Sequence, residues 1–164
     1  MILADTNIIG TLSRVASIDR LLTLFAKDEL GVVAAVYAEL VAGVREGREF
    51  LRAAVDLVDS GAIKLIALTP DEVVQRLNLP PSLDAGEAES IAVCRTRGAA
   101  FVSNDRRARN FCISETIEVF DLIDILRAFW KLGVCSKREV QRLVADIEAK
   151  EGMVIKNKER IFVK

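Results

Sequence analysis

Short apolar runs alternate with stretches of helical period along this chain, and that alternation restricts the fold more than any other feature. Residues 1–4, 32–35, 63–68, 99–103 and 117–120 are brief, mainly apolar and end in polar residues, which fits buried strands of a sheet covered on both faces. Between them, Ile18, Leu21, Leu22 and Phe25 form one helical stripe, and Leu122, Ile125, Leu126 and Phe129 form another. Ile91, Val93 and Cys94 belong to a third helix that Gly98 is placed to stop. Thr69-Pro70-Asp71-Glu72 is a capping box with proline at the first helical position. Strands separated by helices require parallel crossovers, so the class is α/β with layered helices. The 164 residues make one domain's worth of chain.

The last part of the sequence reads as an addition to that unit, with residues 1–133 as the layered domain and 134–164 as the extension. Ser136-Lys137-Arg138-Glu139 is a second capping box, opening a helix with Val140, Leu143, Val144 and Ile147 on one face. That stripe has to be covered by the same domain or by a second subunit. Residues 153–155 and 161–163 flank a polar loop and predict a hairpin.

Several function classes fall away on composition. The chain contains no histidine, which excludes Ser-His-Asp and Cys-His catalysis, imidazole acid–base chemistry and histidine metal sites. Cys94, Cys112 and Cys135 are far apart and odd in number, so they form neither a redox pair nor a zinc cluster and suit a reducing compartment. The net charge of −1 creates no global field toward a polyanion, so a nucleic-acid site has to be a local patch. The N-terminus lacks the basic and apolar regions of a signal peptide, and residues 31–44, the most apolar run, are too short to span a bilayer. A cytoplasmic protein without a membrane partner is expected.

Ligands of an open parallel sheet sit beyond the carboxyl ends of its strands. The first strand runs into Asp5-Thr6-Asn7, and the strand around Phe101 runs into Ser103-Asn104-Asp105. Each aspartate alone is also an ordinary helix cap or turn residue. Glu39 is the only charge between Gly31 and Val44, either solvated on an apolar helix or pointing into a cleft. Leu83-Asp84-Ala85-Gly86-Glu87-Ala88-Glu89 opens a helix, with Asp84 and Glu87 spaced as a capping box. As a group the acids carry more weight. Two carboxylates about 4 Å apart repel by roughly 4 kcal/mol at an effective dielectric near 20, so a cluster stays ionised only around a cation. Oxygen ligands without sulfur or imidazole select hard ions, Mg²⁺ or Mn²⁺, and such ions act on phosphate esters. Arg95 and Arg97 end the helix after Glu87, and Arg106, Arg107 and Arg109 follow Asp105; these forks suit phosphate, although such runs are also often simply solvated.

Asp5-Thr6-Asn7, Glu39 before Leu40, Gly86-Glu87-Ala88-Glu89-Ser90-Ile91-Ala92 and Ser103-Asn104-Asp105 resemble the four acidic motifs of PIN-domain ribonucleases. The prokaryotic variants with Gly-Glu-Ala in third place, related to VapC-type toxins, are the most similar. The resemblance covers about residues 1–130. It implies a three-layer α/β/α sandwich with a parallel five-stranded sheet, metal-dependent cleavage of single-stranded RNA and frequent homodimers. On this mapping Asp5, Glu39, Glu87 and Asp105 are the metal-holding catalytic acids, with Asn7 and Ser103 in support. Asp84 is the other candidate for the third acid, which is often aspartate in the family. A toxin would have an antitoxin protein as partner. Arg106, Arg107 and Arg109 are the residues expected on the RNA backbone.

Two other readings compete. A receiver-type signalling domain shares the class and uses acids with Mg²⁺, but residues 63–68 end in Thr69-Pro70 rather than a phosphoacceptor aspartate, and no lysine closes the strand before Asp105. A non-catalytic PIN-like module that binds RNA or protein is the stronger rival, and the presence of all four acids argues against it.

Overall fold

The computed structural model describes residues 1–163. Five parallel strands, β1 (Ile2–Ala4), β2 (Leu30–Val33), β3 (Lys64–Ile66), β4 (Ala100–Val102) and β5 (Val119–Phe120), form one sheet in the order β3-β2-β1-β4-β5. β1 is central, with Ile2 paired to Leu30 on one side and Ala100 on the other. The connecting helices are α1 (Thr6–Arg14), α2 (Ile18–Leu24), α3 (Ala34–Arg45), α4 (Arg52–Asp59), α5 (Pro70–Leu77), α6 (Ala85–Arg97), α7 (Arg106–Ser114), α8 (Leu122–Lys131) and α9 (Lys137–Glu151). The architecture is the expected three-layer α/β/α sandwich. All three residues of β1 and of β4 are buried, as their unbroken apolar runs require. β3 lies at an edge and leaves Lys64 and Leu65 exposed. Among the described residues, no helix is long and apolar enough to cross a membrane.

Local chemistry explains most of the boundaries. Capping boxes open α5 at Thr69 and Glu72, α6 at Asp84 and Glu87, α8 at Asp121 and Asp124, and α9 at Ser136 and Glu139. Gly98 closes α6 in the left-handed conformation, at φ 64°. The strand expected at residues 32–35 instead occupies Leu30–Val33 and passes straight into α3. Gly31 is part of it because a Cβ there would lie 2.8 Å from Ile66 Cγ1 and 3.1 Å from the Lys64 carbonyl. This glycine marks a close approach of β2 to β3 rather than a break.

The C-terminal segment is built into the same core. α9 packs against α1 and α8, and its Val140 and Ile147 join the apolar cluster that contains Leu3 and Phe101. Thr11 in α1 donates its hydroxyl to Glu151 at 2.7 Å. Gly133, where the layered domain was expected to end, is a left-handed turn (φ 76°) with core residues on both sides of it in sequence. The expected hairpin does not form. Residues Lys158–Phe162 wind into a 3-10 helix, and Ile155 and Ile161 are both buried. Their backbone groups bond elsewhere: the Ile155 N–H donates to Glu148 at 2.9 Å, and the Ile161 carbonyl accepts from the Trp130 indole at 2.6 Å. Two strands would have needed those groups for each other.

Candidate active site

The strand order reverses direction at β1 and β4, the neighbouring pair from which the chain departs toward opposite edges. Such a switch point opens a crevice at the carboxyl ends of the strands. Asp5 directly follows β1, and Asp105 follows β4 after Ser103 and Asn104. Both do the local work of a cap. Asp5 Oδ1 accepts from the Thr6 N–H at 2.8 Å, and Asp105 Oδ1 accepts from the N–H groups of Arg107 and Ala108 at 2.8 and 2.9 Å. They also belong to one network across the crevice. The buried Ser103 hydroxyl donates to Asp5 Oδ2 at 3.0 Å and accepts from the Asp105 N–H at 3.1 Å. Asn7 Nδ2 donates to Asp5 Oδ2 at 2.6 Å, while Asn7 Oδ1 accepts from the Asn104 N–H at 3.0 Å.

Three more acids reach this crevice. Glu39, half-buried on α3, accepts from the Thr6 hydroxyl, a positioning contact that the sequence reading did not anticipate. Its only sequence signal is a hydroxyl residue directly after Asp5. Gly86 lies where a Cβ would be 3.0 Å from Val36 Cγ2, 3.5 Å from Asp84 Oδ1 and 3.6 Å from Glu39 Oε1. The glycine thus lets α6 approach α3 and leaves space between those two carboxylates. Glu87 was expected to extend beyond the helix start. In that capping box its Oε2 turns back to the Asp84 N–H at 3.0 Å, so Glu87 does not extend past the helix start, while Asp84 Oδ1 accepts from the Glu87 N–H at 2.8 Å. Reciprocal capping brings both Asp84 and Glu87 to the site.

Charge compensation separates these acids from the rest of the interior. Among the described residues, five acids are buried: Asp5, Glu72, Glu87, Glu89 and Asp121. Glu72 pairs with Arg97 at 2.7 Å, Glu89 with Arg76 at 3.0 Å, and Asp121 with Arg109 at 2.8 Å. Among the described residues Asp5 and Glu87 have no ion-pair partner, nor do Glu39, Asp84 and Asp105. The consequence for Glu72 is opposite in sign to that for Asp5 and Glu87. Hydrogen bonding to Arg97 lowers the Glu72 carboxyl from 4.5 to about 2. Burial first, with the charges of Asp84 and Glu39 added, raises Asp5 from 3.8 to about 6, against the lowering effect of its bonds to Ser103 and Thr6. Burial likewise raises Glu87 from 4.5 to about 7, reinforced by Asp84, Asp105 and Asp5.

The arginines divide differently from the sequence expectation. Arg97 holds Glu72 and the Ala67 carbonyl, Arg95 pairs with Glu115, and Arg109 pairs with Asp121 at the start of α8. These three are committed to the fold. Arg106 and Arg107 are exposed and, among the described residues, in no ion pair.

As the side chains stand, no three acids among the described residues are close enough to enclose an ion. The donor set nonetheless fits a hard cation, because two buried carboxylates lack the positive partner that every other buried acid has. A family model for the PIN domain matches residues 1–161. The chain belongs to the PIN-domain family. PIN domains are generally nucleases, bind nucleic acid and use divalent metal ions. The match runs through α9 and most of the 3-10 helix, so it reaches beyond the residues that carry the four acidic motifs. No curated protein matches the chain significantly.

Proposed function

We propose that this PIN domain is a Mg²⁺- or Mn²⁺-dependent endoribonuclease that cleaves single-stranded RNA, with Asp5, Glu39, Glu87 and Asp105 holding the ion. The observation that carries this reading is the burial of Asp5 and Glu87 beside other acids with no ion-pair partner among the described residues. A divalent ion at such a site supplies charge neutralisation on a phosphodiester and a more acidic water. The protein's own part is orientation. Ser103 and Asn7 fix the Asp5 carboxylate, Thr6 fixes Glu39, and the α7 backbone fixes Asp105, so each of these three is oriented at the crevice before a ligand arrives. Arg106 and Arg107, exposed next to Asp105, take the RNA backbone in this proposal; Arg109 supports it by holding α7 to Asp121.

The reading extends to a toxin of a toxin–antitoxin pair, working in the cytoplasm as a homodimer and neutralised by an antitoxin protein. The primary test is cleavage of labelled RNA with Mg²⁺, with Mn²⁺ and with excess EDTA, on the native protein and on Asp105→Asn. Asparagine caps a helix as well as aspartate, so the variant should melt at the native temperature and lose turnover by about a hundredfold or more. Full cleavage in EDTA overturns the metal requirement. RNA binding without cleavage under either ion returns the chain to the non-catalytic binding module.

A further inference from the structure

A second cleft begins one residue away from the acids. Asn104 and Arg106, which flank Asp105, form part of one wall together with Arg109. The opposite wall is the C-terminal segment, with Lys156, Asn157 and Arg160. The space between them is about 540 Å³. We propose that this cleft is the backbone track for the nucleic-acid strand entering the site, and that the C-terminal segment is therefore half of the substrate-binding surface.

Charge is the first argument. Four of the lining residues are cationic and one, Asp121, is acidic, in a chain whose net charge is −1. Arg109 neutralises Asp121. Arg106, Lys156 and Arg160 are exposed and enter no ion pair among the described residues, which leaves three uncompensated positive charges facing one gap. A local excess of this kind is what a nearly neutral protein needs to hold a polyanion.

Rigidity is the second. An exposed basic tail is commonly solvated and mobile, but this one is fastened on both sides of its cations. Ile155 and Ile161 are buried, Glu148 accepts the Ile155 N–H and pairs with Lys158, and the Trp130 indole holds the Ile161 carbonyl. Asn157 turns the chain in the left-handed conformation, at φ 58°, and its carbonyl accepts the Arg160 N–H at 3.0 Å. Lys156 and Arg160 are thus presented from a fixed turn rather than a loose end.

The lining chemistry is the third. No aromatic side chain borders the cleft, so it offers no platform for stacking bases. Arginine forks, a lysine and asparagine amides are groups that contact phosphate and sugar. The cleft should accordingly bind strands of different sequence about equally and leave any selection of bases to other surfaces. This inference rests on the nuclease reading for its choice of ligand.

The test measures binding of short labelled single-stranded RNAs of unrelated sequence, in EDTA so that no cleavage intervenes, across a range of salt concentrations. The Lys156→Ala/Arg160→Ala protein is compared with native protein and with Arg45→Ala/Lys64→Ala, which removes equal charge from exposed positions on α3 and the β3 edge. Loss of two phosphate contacts from a single strand should lower the slope of log K against log salt by about 1.4. The affinity loss should be similar for every sequence and absent from the control variant, with the melting temperature unchanged. Native protein that binds RNA with the same slope as the double variant overturns the track and leaves the nuclease reading intact. Native protein that binds no RNA either in EDTA or with Ca²⁺ supplied in place of Mg²⁺ overturns both. Polyglutamate that binds as tightly as RNA, with the same loss in the variant, assigns the cleft to an acidic protein segment instead.

Discussion

Asp5, Asp84 and Asp105 show that capping and site-building are compatible tasks for one carboxylate. A capping aspartate spends one oxygen on the first turn of its helix and turns the other to the crevice, where Ser103 and Asn7 hold that of Asp5. The local reading of each residue was therefore correct and also incomplete. Asp84 and Glu87 provide the sharpest residue-level prediction, because asparagine retains the N-cap and glutamine retains the N3 half of the box. Both Asp84→Asn and Glu87→Gln should fold. Glu87→Gln should lose metal affinity and turnover by on the order of a hundredfold, whereas Asp84→Asn should stay within a few-fold of native. Isothermal titration with Mn²⁺ and RNA cleavage assays decide it; the reverse pattern makes Asp84 the third acid. The sequence leaves this pair open because the two residues face one site from a single helical turn.

Among the elements, α6 organises the site more than its motif suggests. Glu87 and Glu89 lie about 200° apart around the helix, so one faces the acids and the other faces α3. Glu89 accepts the Ala35 N–H at 3.0 Å at the start of α3, a helix whose own N-cap residue, Val33, has no side chain able to cap. Arg76 from α5 completes that contact. The helix carrying Glu39 is thus positioned by another helix, an arrangement invisible to local propensity. α5 and α6 are joined by Glu72, which is almost fully buried and bonded to Arg97 and Thr96. Its folded pKa near 2 lies below its ordinary 4.5, so the native state holds fewer protons in that interval. The stability it contributes is complete above about pH 4.5 and is lost as pH falls toward 2. Glu72→Gln should cost about 2–4 kcal/mol in urea unfolding at pH 7, and the gap to native should close near pH 2. An equal gap at both pH values would mean that the pair is not what links the helices.

Over the whole molecule, α9 and the 3-10 helix are inseparable from the layered core. Val140, Ile147, Ile155 and Ile161 all belong to the same buried cluster as the central strands. Truncation after Gly133 should uncover Leu12 and Phe129 on the helices that α9 and the tail cover, and yield protein that aggregates on gel filtration. A milder variant, Ile161→Ala, should remain soluble and lose about 2–5 kcal/mol in chemical denaturation. A truncated chain that is monomeric with the native melting temperature would make residues 134–164 a separate unit after all.

Periodicity and end signals in the chain carry the five parallel strands, the layered class, the helix starts at Thr69, Asp84 and Ser136, the Gly98 stop and the acids that follow β1 and β4. These are local properties: side-chain spacing chooses strand or helix, and a cap needs partners only three residues away. Packing over long sequence distances selects the rest. It sets β2 against β3 through Gly31, turns the supposed hairpin into a 3-10 helix anchored by the buried Ile161, binds Arg109 to Asp121 and leaves Asp5 and Glu87 without an ion-pair partner among the described residues. An arginine's partner and a carboxylate's isolation depend on which segments meet in space, and only the folded chain makes those meetings.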